Sequence, residues 1–270
     1  MRRRARIAAA LVGAAASAAA LADQPLWELG VGLAGLRLPH YRGADQSHGL
    51  ALPLPYVVYR GDILRADRDG ARAVLFESDR LDFDLSLAAS APTRSRDNRA
   101  RSGMPDLAPT VELGPNLNYT LQQTAHWKLQ LRLPLRVALS LQSPPRDAGW
   151  LAAPQLNLDW RQGGWNVGAL AGPLWGSRRH HARLYDVAPE YSTATRAAYR
   201  SEGGPAGWQA TVGVSRRWGD VWTGAFVRAD SLAGARFADS PLVQRERNLS
   251  FGLALSWVLA RSARQVPERD

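Results

Sequence analysis

The residues that could do chemistry are few, and each has a plain competing reading. Five histidines occur, His40, His48, His126, His180 and His181, and all are expected in loops or turns. His180-His181 lies inside RRHHAR (178–183) and could bind a metal or an anionic sugar. Two adjacent histidines do not complete a metal site without further ligands, so the favoured reading is an exposed basic loop. Asp82 and Asp84 share one face of an alternating segment, as do Asn157, Asp159 and Arg161 in another. Paired carboxylates can divide acid and base roles. In a narrow interior, however, charge must be paired or wet, so these carboxylates are expected to neutralise arginines such as Arg132, Arg136 and Arg161. No Gly-x-Ser-x-Gly occurs, and no histidine is placed inside a strand beside a candidate serine. The nucleophile–base pair that a barrel hydrolase would carry near its rim is therefore missing. The chain contains no cysteine, which removes thiolate chemistry and disulfides together. No residue is assigned a catalytic, cofactor-binding or metal-ligating role, and no cofactor is expected.

The elements that carry these residues are strands. In WKLQLRLPLRVALSLQ, Trp127–Gln142, every second residue from Trp127 to Leu141 is apolar, while Lys128, Gln130, Arg132 and Arg136 fall between. The same alternation recurs over 81–90, 111–122, 152–161, 208–215 and 250–259. A period of two means a strand with one apolar and one polar face. Soluble strands run mostly about 5–6 residues, whereas a strand tilted across a bilayer needs about 9–11. These segments have the longer length. A soluble β-sandwich or lipocalin-like barrel is the competing fold; there the apolar face would point inward.

The first 22 residues have another character. Four arginines within Met1–Arg6 precede a run of Ala, Leu, Val, Ile, Gly and Ser, and Ala20-Leu21-Ala22 then places small residues two apart. This is the form of a cleaved secretory signal peptide spanning 1–22. The full chain carries 34 Lys+Arg against 24 Asp+Glu, a net +10; removing four arginines gives 30 − 24 = +6. An exported chain with dispersed basic charge argues for outer-membrane lipid and lipopolysaccharide as partners, and against nucleic acid. After residue 22 no apolar run approaches the ~20 residues of a spanning helix.

Connections alternate in length. Short turns are expected at 122–126, 161–164 and 219–220, and long polar loops at 91–107, 143–149, 176–205 and 233–247. That asymmetry belongs to outer-membrane barrels. Trp127, Trp160, Trp165, Trp218 and Trp222 flank the short turns, predicting an aromatic girdle at the periplasmic interface. Strands are expected at about 26–38, 50–60, 81–90, 108–121, 126–141, 150–161, 165–175, 206–218, 221–232 and 247–259. Residues 60–81, read as one strand, give an odd total. Read as a hairpin turning at Asp69-Gly70, they give twelve, and single-chain bacterial barrels have even strand numbers. The fold class is thus all-β: a transmembrane antiparallel up-and-down barrel over 23–270, of about 12 strands with 10 as the alternative, ending in a periplasmic tail at 260–270.

PHYRGADQSHGLALPLPYVVYRGD (Pro39–Asp62) resembles the MipA/OmpV family of outer-membrane proteins, which carries a Tyr-x-Gly-Ser/Ala-Asp element and a Pro-x-Pro strand ending in Tyr-Arg. Here these fall on Tyr41, Gly43, Ala44, Asp45, Pro53, Pro55, Tyr59 and Arg60. LYDVAPEYSTATRAAYRSEGG (Leu184–Gly204) resembles the long loop before the family's last three strands, and ADSPLV (Ala238–Val243) its Asp-Ser-Pro element. One departure is the end of the chain: such barrels usually close on an aromatic residue, whereas Trp257 is followed by VLARSARQVPERD. The resemblance implies a non-enzymatic scaffold that brings a lytic transglycosylase together with a penicillin-binding protein at the murein. It implies no binding residues. The charged strand faces also fit a small-solute channel, and a barrel enzyme acting on lipid or glycan is a third reading.

Overall fold

In the computed structural model the described residues are 24–67 and 70–267; the expected signal peptide and Asp69 of the expected turn lie outside them. Strands follow one another in chain order: β1 (Gln24–Pro25), β2 (Trp27–Pro39), β3 (Ser47–Arg60), β4 (Leu64–Asp67), β5 (Gly70–Glu77), β6 (Leu81–Ser90), β7 (Thr110–Gln123), β8 (Trp127–Ser140), β9 (Arg146–Ala152), β10 (Gln155–Gln162), β11 (Trp165–Gly176), β12 (Gly204–Trp218), β13 (Val221–Ser231), β14 (Arg247–Arg261) and β15 (Gln265–Val266). A single α-helix, α1 (Arg178–Tyr185), lies among the described residues.

From β2 to β14 each strand pairs antiparallel with the next, except β9 with β10, and β14 returns to pair with β2. β9 and β10 are two halves of one stave, since both pair with β8 on one side and β11 on the other. The stave breaks at Ala153-Pro154, where proline has no N–H for the ladder. Counting that stave once gives a closed barrel of twelve strands. Within 60–81 β4 and β5 pair as the expected hairpin, with Asp67 opposite Gly70, so the ten-strand alternative is excluded. Closure leaves no sheet edge, which is what a strand protein needs in hydrocarbon.

The pleat sorts the residues as the alternation predicts, with the apolar face outward. Leu133, Leu135, Val137 and Leu139 of β8 are exposed on the outside, as are Leu253 and Leu259 of β14. Glu28, Asp84, Asn118, Gln130, Asn157 and Ser256 are buried on the inside. A soluble barrel would show the reverse, so that alternative fails. No described helix is long and apolar enough to cross a membrane; strands do the crossing.

Four details differ from expectation. His48 lies within β3, which starts at Ser47, so 40–46 is a tight connection. His180 and His181 lie in α1, because Ser177 caps the helix by accepting from the His180 N–H. Trp222 faces the lumen beside Tyr56, ring centroids 6.4 Å apart, since alternation from Val221 turns it inward and Gly224 leaves room for its ring. Strand β14 runs on to Arg261, and β15 folds back to pair Val266 with Gln24, so this part of the tail is tied to the short-turn rim.

Candidate functional site: a capped lumen

Four connections meet at the long-loop end and close it with a core of their own. Tyr41 comes from the first, Leu107 from the second, Tyr185 and Val187 from the third, and Phe237 and Leu242 from the fourth; all are buried together. The Tyr185 ring stacks on Phe237, centroids 3.7 Å apart and 9° from parallel. His181 packs edge-on against the same Phe237, and its Nδ1 donates to the Glu202 carbonyl at 2.6 Å. The RRHHAR stretch is therefore a helix of the cap and not a loop; its Arg178 and Arg179 stay exposed, while His181 is buried. Its apolar Leu184-Tyr185 end gives it a core to join, a signal that lies just beyond the basic run. Burial pushes the His180 imidazole down to about 4, with His181, Arg183 and Arg42 acting in the same direction. The adjacent histidines thus resist the protonation that an anionic sugar would want.

The short elements that carry the family resemblance hold one another here. Tyr41 Oη donates to the Leu242 carbonyl at 2.8 Å. Gly43 N donates to Asn248 Oδ1 at 2.6 Å, and its φ of +94° is one that favours glycine. Tyr185 Oη donates to the Arg42 carbonyl at 2.9 Å, and Ser240 Oγ to the Tyr185 carbonyl at 2.7 Å. Arg101 is almost fully enclosed and ties the second loop to the third by donating to the Leu184 carbonyl at 3.0 Å. Burial lowers its guanidinium to about 10, still charged at neutral pH. These residues are the fastenings of the cap.

Below the cap lies a cavity of about 1730 Å³ that reaches the short-turn rim at Gly163, Gly164 and Gly219. Its wall is polar and internally matched. Arg132 meets Asp159 at 3.2 Å, and Asp159 also accepts from Asn157 at 2.6 Å. Asp84 accepts from Asn116 and Asn118 at 3.1 and 2.8 Å, so amides and not arginines hold it. Arg136 donates to Ser86 Oγ at 3.0 Å. Toward the cap, Asp230 is held by Arg42 and Arg228. At the base, Glu28 is 1% exposed and sits between Arg60 at 3.0 Å and Arg217 at 2.6 Å. The expected pairing of interior charge holds for Asp159 and is met differently at Asp84. Sequence reasoning missed Glu28, Arg217 and Asp230: Glu28 and Arg217 meet across the whole chain, as do Asp230 and Arg42, although Arg228 two residues before Asp230 was a local signal.

The wall can bind and orient polar groups. Among the described residues no histidine bonds to Asp82 or Asp84, and three buried cap serines are committed, Ser95 to the Pro105 carbonyl, Ser201 to Asp186 and Ser240 to the Tyr185 carbonyl. No cluster of three or more metal-binding side chains occurs among the described residues.

An apolar band around a closed strand cylinder with a charged interior defines a transmembrane β-barrel. Residues 31–259 match the family model of the MltA-interacting protein MipA, and the chain belongs to that family of outer-membrane proteins. No curated protein sequence matches it. Among solved structures it is similar to an outer membrane channel from Pseudomonas putida F1, at 12% identity and TM-score 0.47, covering 86% of this chain and 96% of that one. It is also similar to the outer membrane phospholipase A from Escherichia coli, at 11% identity and TM-score 0.36, covering 85% and 92%. A bacterial polysaccharide outer membrane secretin aligns at 10% identity and TM-score 0.42, covering 86% and 99%.

Proposed function

We propose that this protein is a non-enzymatic outer-membrane adaptor that holds a lytic transglycosylase, and through it a penicillin-binding protein, against the murein. The observation that carries this reading is the family match over 31–259, whose description names an interaction with MltA. Two features support it. The cap fills the long-loop end with a packed core, so the barrel offers a closed outer face. The short-turn rim and the mouth of the lumen form the opposite face, where the tail pairs with the N-terminal strand. In this reading that face looks into the periplasm. The test is capture from periplasmic extract by the detergent-solubilised barrel. Recovery of a lytic transglycosylase or a peptidoglycan synthase supports the adaptor; recovery of neither overturns it.

The cavity of about 1730 Å³ favours a second reading, passage of a small solute. About twelve strands give a lumen that paired side chains nearly fill, whereas open porins use about 16–18. Planar-bilayer recording separates the two: steady open steps would place the channel ahead of the adaptor.

A further inference from the structure

On the outside of the barrel, at the short-turn end, one arginine is set in the lipid-facing wall. Strand β12 alternates Val212, Val214, Arg216 and Trp218 on its outer face, and Val212, Val214 and Trp218 are exposed there. Arg216 stands directly across from Trp165, the first residue of β11. Its guanidinium carbon lies 3.7 Å from the Trp218 ring centroid and 4.8 Å from that of Trp165. Two indole rings therefore lie against one guanidinium.

The position matches a headgroup level. Arg216 is two residues from the end of β12, about 7 Å along the strand from the rim. Tryptophan at that depth keeps its ring in the acyl boundary and its N–H in the polar layer. The charge is also unmatched. Among the described residues Arg216 makes no ion pair and no side-chain hydrogen bond, and the Trp165 and Trp218 indole nitrogens have no acceptor. The neighbouring charges are committed elsewhere. Arg217 faces the lumen and meets Glu28 at 2.6 Å, and Asp220 pairs with Arg261 at the rim. Stacking holds a guanidinium by its faces and leaves its in-plane N–H groups free, the edge that matches a phosphate bidentately.

We propose that Trp165, Arg216 and Trp218 form a binding site for the phosphate of an anionic glycerophospholipid in the leaflet at the short-turn rim. The guanidinium edge takes the phosphate oxygens, and the two indoles hold it in place and flank the glycerol region. The site lies on the outer wall, so it is independent of the lumen and of the adaptor reading.

The experiment counts lipids retained by the detergent-solubilised barrel in native mass spectrometry, titrated with phosphatidylglycerol or phosphatidylcholine. The wild type should hold one phosphatidylglycerol in preference to phosphatidylcholine. Arg216→Gln should weaken that retention by about fivefold, the loss expected for one cation near an anionic surface. Arg216→Lys should fall between, because it keeps charge and loses the stacked plane. Arg247→Gln, at the opposite rim, should behave as wild type. Heat-modifiable mobility verifies that each variant is folded. Equal retention of the two lipids by the wild type, or undiminished retention by Arg216→Gln, overturns the proposal. So does displacement of the lipid by millimolar inorganic phosphate, which would make the site one for the free anion.

Discussion

At the scale of single residues, side-chain position on the pleat decides the cost of a substitution. Leu133 sits mid-strand on the outer face, 39% exposed, and its neighbour Arg132 points inward to Asp159. An arginine at a lipid-facing midplane position costs about 2–4 kcal/mol. Leu133→Arg should therefore lower the folded fraction, read as heat-modifiable mobility, far more than Arg132→Leu, which leaves Asp159 still bonded to Asn157. Equal folding of the two variants would mean that the faces are reversed. A second residue-scale prediction concerns acid. The folded His180 imidazole lies at about 4, below its ordinary value near 6.5. The unfolded cap then binds more protons, so the neutral ring's contribution is full above about 6.5 and is lost as pH falls toward 4. Protease cleavage within 177–203 should rise as pH falls through that window, and His180→Gln should reduce the rise. Protection that stays flat from neutral pH to about 4 would contradict it.

At the scale of elements, the barrel depends on where strands can approach. The seam joins the last stave to the first, and its ladder shifts register between Val258 and Ala260 opposite Gly30. A Cβ on Gly30 would overlap the Trp257 carbonyl oxygen, whereas one on Gly35 of the same strand meets nothing within 4 Å. Gly30→Val should lower the temperature at which the folded band is lost, by a destabilisation of about 1–3 kcal/mol, and Gly35→Val should not. Equal melting of the two would show that the seam is not closed there. Much of this architecture was legible in the chain, because period-two alternation records which face each residue takes. Leu129–Leu141 and Phe251–Leu259 show it most clearly. The hairpin at 60–81 followed from parity, since both ends of an even barrel lie on one side. Less was legible where contacts are non-local. RRHHAR reads as a solvated basic run until Phe237, far along the chain, supplies the surface for His181 and Tyr185. Trp222 reads as a girdle residue until alternation is counted from the turn at 219–220. The Arg217 partner of Glu28 and the Arg42 partner of Asp230 become visible only when the barrel closes.

At the scale of the whole molecule, the barrel has two unlike ends. One is a packed cap fastened by Tyr41, Arg101, Tyr185 and Ser240; the other is a rim of short turns around the mouth of a charged cavity. The central claim is that the capped end faces out of the cell and the rim faces the murein. The natural chain has no cysteine, so a single introduced thiol reports on each end. His126→Cys lies in an exposed short turn, and Thr195→Cys in an exposed part of the cap. With a bulky, membrane-impermeant maleimide added to intact cells, Thr195→Cys should label at once, and His126→Cys only after the outer membrane is opened. Labelling of His126→Cys in intact cells, with Thr195→Cys protected until the membrane is opened, would invert the barrel and contradict the account.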